Sequence, residues 1–403
     1  MTTTLSPRSV FAIPAYRRLW LAAVAIAFSM WLERLAVGWL VLDRTGSPLL
    51  AALTFAVRMA PNLVVGPFAG AVADRSNRAR LIAATALSRA AVTAAIGLIV
   101  LVGADATWVV LLLVAAAGVA RVFEMPAEQA LIVDLVGGAR SADAIALHSV
   151  GVRSVGLLGA LAGALIIDYA GPAEAFAAGA VFLGAAAWLM STITVEARLR
   201  VTPAASLWRD AVEGVRALVR IPTVAALLVF ALLVEILAFA YNSLLPTVAL
   251  LLLDAGATGL GLLTAAAGVG SVLGSLLLSL LRPSVPRGLV LLVATFAYGV
   301  LLVAFGASQQ FLLSLVLVGG VGAAAAMFDA LQWTLLQRHV PDEMRGRAIG
   351  GWVWAIGFGW VGPILLGAAA EALGVSQALA ISGSLVVVLA IAAAALVPGL
   401  RRA

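Results

Sequence analysis

Apolar residues fall in runs of about twenty, the length an α-helix needs to cross the roughly 30 Å hydrocarbon layer of a bilayer. Charged residues or Gly/Pro breaks separate the runs. Twelve are found, at 18–42, 49–73, 80–102, 107–130, 143–167, 173–195, 222–246, 257–281, 288–306, 310–337, 345–371 and 375–397. The pattern predicts an all-α polytopic membrane protein with twelve transmembrane helices. One long polar connection, 196–221, divides them six and six, giving an N-terminal bundle over 1–195 and a C-terminal bundle over 222–403. Within the connection Leu207, Ala211, Val212, Val215, Leu218 and Val219 recur at helical spacing, while Arg209, Asp210, Glu213, Arg216 and Arg220 take the other face. That is the pattern of a helix lying on a membrane surface, or of a solvated connector.

The basic residues orient the spans. All 25 of them are arginine, and with the N-terminus inside, nineteen fall in cytoplasmic segments, one (Arg44) in the opposite loops and five within spans. The positive-inside rule then places both termini in the cytoplasm. The first twenty residues have no short apolar core ending in a small-residue cleavage site, and they read as a cytoplasmic tail.

The two halves repeat one another. Phe123-Glu124 recurs as Phe328-Asp329, 205 residues on, and Gly66 with Gly70 recurs as Gly270 with Gly274, at an offset of 204. Gly156 to Gly163 in span five echoes Gly362-Pro363 to Gly367 in span eleven. Tandem six-helix halves with a site at midplane between them are the implied architecture.

Composition narrows the function. At 64% hydrophobic and 11% charged, with a mean hydropathy of +1.13, the chain departs far from a soluble globule. The pI near 10.8 reflects membrane-flanking arginines and not a nucleic-acid-binding face. With no cysteine and only His148 and His339, neither a thiol nucleophile nor a His/Cys metal cluster can be assembled. No P-loop motif is present, so ATP does not drive the chain directly. The expectation is a non-enzyme without a cofactor, a monomer in the lipid bilayer whose partners are protons and a small-molecule substrate.

The stretch GPFAGAVADRSNRARL, Gly66 to Leu81, ends span two abruptly at Asp74, Arg75, Arg78 and Arg80. Gly66 and Gly70 make a small-xxx-small step suited to close helix approach. GAVADRSNRA resembles the signature loop between the second and third helices of the major facilitator superfamily, with Asn77 in place of its third glycine and no lysine. An ordinary membrane exit gives the same charges. PAEQALIVDLV with AIALHSVGVRSVG (Pro126 to Gly156), TLLQRHVPDEMRGR (Thr334 to Arg347), YRRLWLAAVAI and the DRTGSP turn resemble the transmembrane secretion effector branch of that superfamily, over nearly the whole chain. The branch contains enterobactin-type siderophore exporters and macrolide or drug efflux proteins, generally driven by proton entry. Where the branch has Gly-Pro in span five this chain reads Gly156-Leu157, which removes the expected proline kink there; Gly362-Pro363 keeps a comparable break in span eleven. By the same resemblance Gly70 lets span two press on span eleven, and Asp74, Arg75 and Arg78 form a cytoplasmic latch with Arg345 and Arg347.

Ionisable groups at bilayer depth are costly and therefore candidates for function. Five arginines qualify, all in the first half: Arg34, Arg58, Arg89, Arg121 and Arg153. The carboxylates are Glu33, Glu124, Glu235 and Asp329, while Asp168 and Glu371 lie near enough to the outer surface to be solvated. Glu33 and Glu235 stand at nearly equal depth in the first span of each half, 202 residues apart. Either each exchanges a proton or each sits in a static ion pair. Glu33 and Arg34 point about 100° apart on a helix and are not each other's main partner. Arg121 and Glu124 can pair along one face. Arg121 also falls where related transporters carry a basic residue tied to proton transfer. Arg153 follows the branch pattern three residues before Gly156. Arg58 and Arg89 either bind an anionic substrate or pair with carboxylates. Tyr241, Asn242 and Ser243 are the polar cluster of span seven. Trp31, Trp352, Trp354, Phe358 and Trp360 either stack on substrate or pack between helices.

Together these readings predict a proton-coupled exporter of a small amphipathic compound, drug-like or siderophore-like, working by alternating access in a bacterial-type inner membrane. A lipid or lysolipid flippase on the same fold is the alternative, and a non-transporting membrane sensor a further one.

Overall fold

The computed structural model describes residues 10–104, 107–194, 220–282, 284–340 and 357–397. Among them the chain is helical and has no strand: α1 (Pro14–Thr45), α2 (Pro48–Met59), α3 (Pro61–Arg75), α4 (Arg78–Leu101), α5 (Thr107–Val136), α6 (Ser141–Tyr169), α7 (Pro172–Ser191), α8 (Pro222–Leu237), α9 (Gly256–Leu280), α10 (Arg287–Ala307), α11 (Phe311–His339), α12 (Val361–Leu373) and α13 (Val375–Leu396). Eleven described segments are long and apolar enough to cross a membrane, and Phe358–Leu373 is a shorter apolar helix in the twelfth position. The connection at 196–219, Trp352 and Trp354 lie outside the described residues.

Three spans differ from the straight helices that the apolar pattern predicts, and proline accounts for much of it. Span two is two helices, because Pro61 lacks an N–H and opens α3 after the break at Ala60. Span four runs past its apolar end to Val136 with Pro126 inside it, leaving the Val122 carbonyl without its helical donor. Span seven stops being α-helical at Leu237. It continues as a 3-10 turn, Phe239–Ser243, a short helical turn, Leu245–Thr247, and a π turn, Val248–Leu252, with Pro246 removing one more ladder donor. As expected, α6 is unbroken at Gly156. The Gly362-Pro363 step follows a 3-10 turn, Phe358–Trp360, and falls in the first turn of α12, where a missing N–H costs nothing.

The chain divides into two units, one of Met1–Val37 with Ala60–Ala205, the other of Gly38–Met59 with Ser206–Ala403. In the first unit α4 packs on α7 and on α5, and α3 packs on α5. Its core gathers Tyr16, Leu19, Ile82, Leu131 and Leu183, and the Tyr16 hydroxyl donates to the Ala144 carbonyl at 2.7 Å. Gly151 and Gly156 admit the indoles of Trp20 and Trp31: a Cβ on Gly156 would stand 2.5 Å from Trp31 Nε1.

The second unit repeats these pairings with α10 on α13 and on α11, and α9 on α11. The repeat holds at the level of single contacts. A Cβ on Gly97 of α4 would meet Phe176 Cβ at 3.1 Å and the Ala173 carbonyl at 3.5 Å. On Gly306 of α10 it would meet Leu379 Cβ at 2.7 Å and the Ser376 carbonyl at 3.0 Å. Gly270 and Gly274 bring α9 into backbone contact with α11, where any side chain would overlap the Gly319 and Ala323 carbonyls. At their counterparts Gly66 and Gly70 no described atom of their own unit lies within 4 Å of a Cβ built there.

Candidate functional site

Arg121, Glu124 and Glu128 stand at i, i+3 and i+7 on α5 and so share one stripe. Because α4 packs on α5, Arg89 reaches the same place. Its Nη1 donates to both Glu124 oxygens, at 2.9 and 3.2 Å, and Arg121 Nη1 donates to Glu124 Oε2 at 2.7 Å. Arg89 Nη2 also lies 3.8 Å from Glu33 Oε2 of α1. One helical turn past Glu124, Glu128 Oε1 lies 3.3 Å from His148 Nε2 of α6, and Arg121 acts electrostatically on both. Side chains of Glu33, Glu124 and Arg89 are only 0, 1 and 2% exposed.

Burial makes the charge balance of this cluster decisive, since an uncompensated ion at this depth costs several kcal/mol. Glu33, Glu124 and Glu128 supply three negative charges; Arg89 and Arg121 supply two positive ones. The formal charges of these five side chains sum to minus one, and His148 stands beside Glu128. Glu124 is bonded to both arginines, which hold it in place between α4 and α5.

The second unit holds a pair of acids of its own. Glu235 of α8 and Asp329 of α11 act electrostatically on one another, and both act on Tyr298 of α10. Gly359 lets the Phe358–Trp360 turn lie on Glu235, where a Cβ would stand 3.0 Å from Oε1. The sequence has no arginine or lysine between 221 and 281 or between 288 and 337.

Other sequence candidates fall elsewhere. Arg34 stacks over Trp31 with Cζ 4.9 Å from the ring centroid, while Arg153 is exposed on α6. Arg58 ends α2, which belongs to the second unit. Asn242 donates to the Phe239 carbonyl at 3.1 Å and Ser243 to the Ala240 carbonyl at 2.7 Å, so both side chains satisfy the 3-10 turn. Glu371 does more than face solvent: it accepts from the Ser47 hydroxyl at 2.8 Å and the Leu49 N–H at 3.2 Å, capping α2.

At the loop after span two, Arg78 bridges Asp74, at 2.9 Å, and Asp134 at the end of α5. Asn77, in the place of the signature's third glycine, caps α4 by accepting from the Arg80 N–H at 3.1 Å. The expected latch therefore has its acid and Arg78 joined to α5 of the same unit. Arg345 and Arg347 lie outside the described residues.

Sequence reasoning missed Glu128, His148 and Tyr298. Glu128 has a findable signal, its i+7 spacing from Arg121. Tyr298 has one too, since α4 and α10 each begin with arginine and the 209-residue offset that aligns Gly97 with Gly306 aligns Arg89 with Tyr298.

Among the described residues an all-helical fold with paired charges at bilayer depth is that of a membrane transporter. Solved structures agree in fold. A D-xylose-proton symporter superposes with a TM-score of 0.73 at 15% identity, over 96% of this chain and 98% of its own. An auto-inhibited POT family peptide transporter gives 0.74 at 14%, over 94% and 96%, and a bacterial homologue of the human lysosomal transporter Spinster 0.71 at 18%, over 96% and 97%. Residues 2–401 match the transmembrane secretion effector family of the major facilitator superfamily, and the chain belongs to it. Enterobactin exporter EntS of Citrobacter koseri is 36% identical over 96 residues, and that of Escherichia coli O1:K1 / APEC is 33% identical. These matches span 24% of this chain and 23% of each exporter's length.

Proposed function

We propose that the chain is a proton-coupled exporter of a small amphipathic compound, drug-like or siderophore-like. It resides in a bacterial inner membrane with both termini cytoplasmic and works by alternating access as a monomer. Export follows from the family and from the likeness to enterobactin exporters. Proton coupling rests on one observation, the buried cluster of three carboxylates and two arginines joined to His148. Such a cluster stays neutral only with one proton bound, so loss of that proton changes the stability of whichever conformation buries it. The groups facing the proton are Glu33 on α1, Arg89 on α4, Arg121, Glu124 and Glu128 on α5, and His148 on α6.

Flux in proteoliposomes tests this. With candidate siderophores and hydrophobic drugs inside and an acid exterior, wild-type efflux is expected to follow the pH gradient and to collapse with a protonophore. Glu128→Gln, which removes the surplus charge without a proton, is expected to retain substrate exchange while losing gradient-driven efflux. Gradient-driven efflux at the wild-type rate in Glu128→Gln, His148→Gln and Glu33→Gln alike refutes the assignment.

A further inference from the structure

A hairpin from the first half of the sequence, Gly38–Met59, packs with the second unit. It comprises the last turns of α1, the DRTGSP turn and α2. Both of its ends run on into the first unit. One end passes through α1 at Gly38, the residue there with no side chain to resist bending. The other crosses the break at Ala60, where Pro61 supplies no N–H to continue the helix.

The hairpin lies on the second unit through small residues. On the α2 face Ala51, Ala52 and Ala56 are buried, and α2 packs on α12. A Cβ on Gly367 of α12 would stand 2.7 Å from Ala52 Cβ, 3.1 Å from Leu49 Cα and 3.4 Å from the Pro48 carbonyl oxygen. Pro246 of span seven meets α1 in the same way, its Cγ 3.1 Å from a Cβ built on Gly38. Buried Thr54 spends its hydroxyl on its own helix, donating to the Ala51 carbonyl at 2.6 Å. Surfaces of this kind approach closely without interlocking, so they part without forcing side chains into new rotamers.

A polar clasp lies at the tip. Ser47 is the N-cap of α2, its hydroxyl oxygen accepting from the Leu50 N–H at 3.1 Å. The neighbouring Leu49 N–H and the Ser47 hydroxyl itself both donate to Glu371 of α12. A second helix thus satisfies one of the orphan donors of the first turn of α2, with a carboxylate at the positive end of its dipole. Glu371 is exposed, so water can take over each of these bonds when the clasp opens. The Arg89–Glu124 pair, at 2 and 1% exposure, has no such substitute.

We propose that the Gly38–Met59 hairpin is a strap that swings away from α12 about Gly38 and Ala60 during transport, and that Glu371 is the positioning residue that clasps it shut. The strap lies at the end of the spans opposite the arginine-rich loops, which the proposed orientation makes the outer end. The inference rests on the alternating-access reading and adds to it a moving part smaller than either six-helix half.

Double electron–electron resonance between nitroxides on Asp43→Cys and Ala372→Cys tests it in the full-length chain in nanodiscs. Both positions are exposed, and the chain has no other cysteine. Wild type is expected to show a short distance and a longer one. Glu371→Ala should raise the ratio of long to short at least about fivefold, the factor given by one lost hydrogen bond of ordinary strength. Gly367→Ala, which crowds Ala52 and Leu49 without touching the clasp, should move the ratio the same way. Glu371→Gln, whose amide oxygen still accepts one bond, should fall between wild type and Glu371→Ala. A control pair on Gln309→Cys and Ala372→Cys should keep one distance throughout, which separates a displaced strap from a loosened unit. A single Asp43–Ala372 distance shared by wild type, Glu371→Ala and Gly367→Ala, or broadening of the control pair in step with the first, overturns the strap. In the proteoliposome assay, bridging Ser47→Cys to Glu371→Cys with a reducible bismethanethiosulfonate should arrest efflux of hydrophobic drugs until the bridge is reduced. Efflux through the bridge at the unbridged rate removes only the strap. A strap that opens without gradient-driven flux of any compound removes the exporter reading and leaves the strap.

Discussion

At the scale of single residues the protein turns on how buried charge is compensated. Arg89 holds Glu124 by two hydrogen bonds and faces Glu33, so its removal strands acids in a site with almost no solvent. Breaking such a pair from one side costs about 3–5 kcal/mol, while replacing both partners by apolar groups is close to neutral. Arg89→Met is therefore expected to lower thermal stability in detergent by about that amount. Adding Glu124→Leu should recover a substantial part, although Arg121 is then left to find water at its more exposed position. A double variant no more stable than Arg89→Met would show that Arg89 owes its place to Glu33 instead. The sequence made part of this legible. Arg121 with Glu124 follows from helical spacing, and Glu33 from its depth. Arg89 was visible only as one costly arginine among five, because its partner lies 35 residues away on another helix and no periodicity within one segment reports that pairing. That two histidines are too few for a metal cluster says nothing about a lone histidine beside a buried glutamate, as His148 is beside Glu128.

Among elements, glycine decides where helices touch and proline where they stop. The paired Gly66/Gly70 and Gly270/Gly274 look identical in sequence, but only the latter pair carries a backbone-to-backbone crossing within its unit. Gly270→Leu should therefore disrupt the α9–α11 contact and cost at least about 3 kcal/mol, the order reached when overpacking has no flexible neighbour to displace. Gly70→Ala should leave folding stability within about 0.5 kcal/mol, since helix propensity slightly favours alanine. Chemical unfolding of the two variants in the same detergent checks both statements, and a Gly70→Ala loss as large as that of Gly270→Leu would point to a tight neighbour for α3 outside its own unit. The number and order of spans were readable because hydrocarbon thickness imposes one length on every helix. Breaks within spans were not readable from hydropathy, which averages over them. Pro61, Pro126 and Pro246 carried the signal, and each proline acts through a carbonyl four residues upstream that composition never sees.

For the whole molecule, the two halves share a backbone plan and differ in charge. Their pairings of α4 with α7 and α10 with α13 are equivalent, while all five arginines at bilayer depth belong to the first half of the sequence. The repeat keeps its acids, with Glu33 and Glu124 answered by Glu235 and Asp329, but sets Tyr298 where Arg89 stands. In the first unit Glu124 is bonded to two arginines, while Glu235 and Asp329 of the second lie on helices that carry no basic residue of their own before Arg338. The proposed exchange of a proton for an exported compound requires a defined orientation. The arginine asymmetry of nineteen to one favours both termini in the cytoplasm, at about 1 kcal/mol for each basic group near an anionic leaflet. Because the chain has no cysteine, topology can be measured with single substitutions in an unaltered background. Ala170→Cys and Gln309→Cys, exposed beyond the ends of α6 and α10, should react with a membrane-impermeant maleimide in intact cells. Ser284→Cys, between α9 and α10, should react only after permeabilisation. The reverse pattern would turn the exporter around, sending protons out as the substrate enters, and so would contradict the proposed direction even if proton coupling itself survived every flux assay.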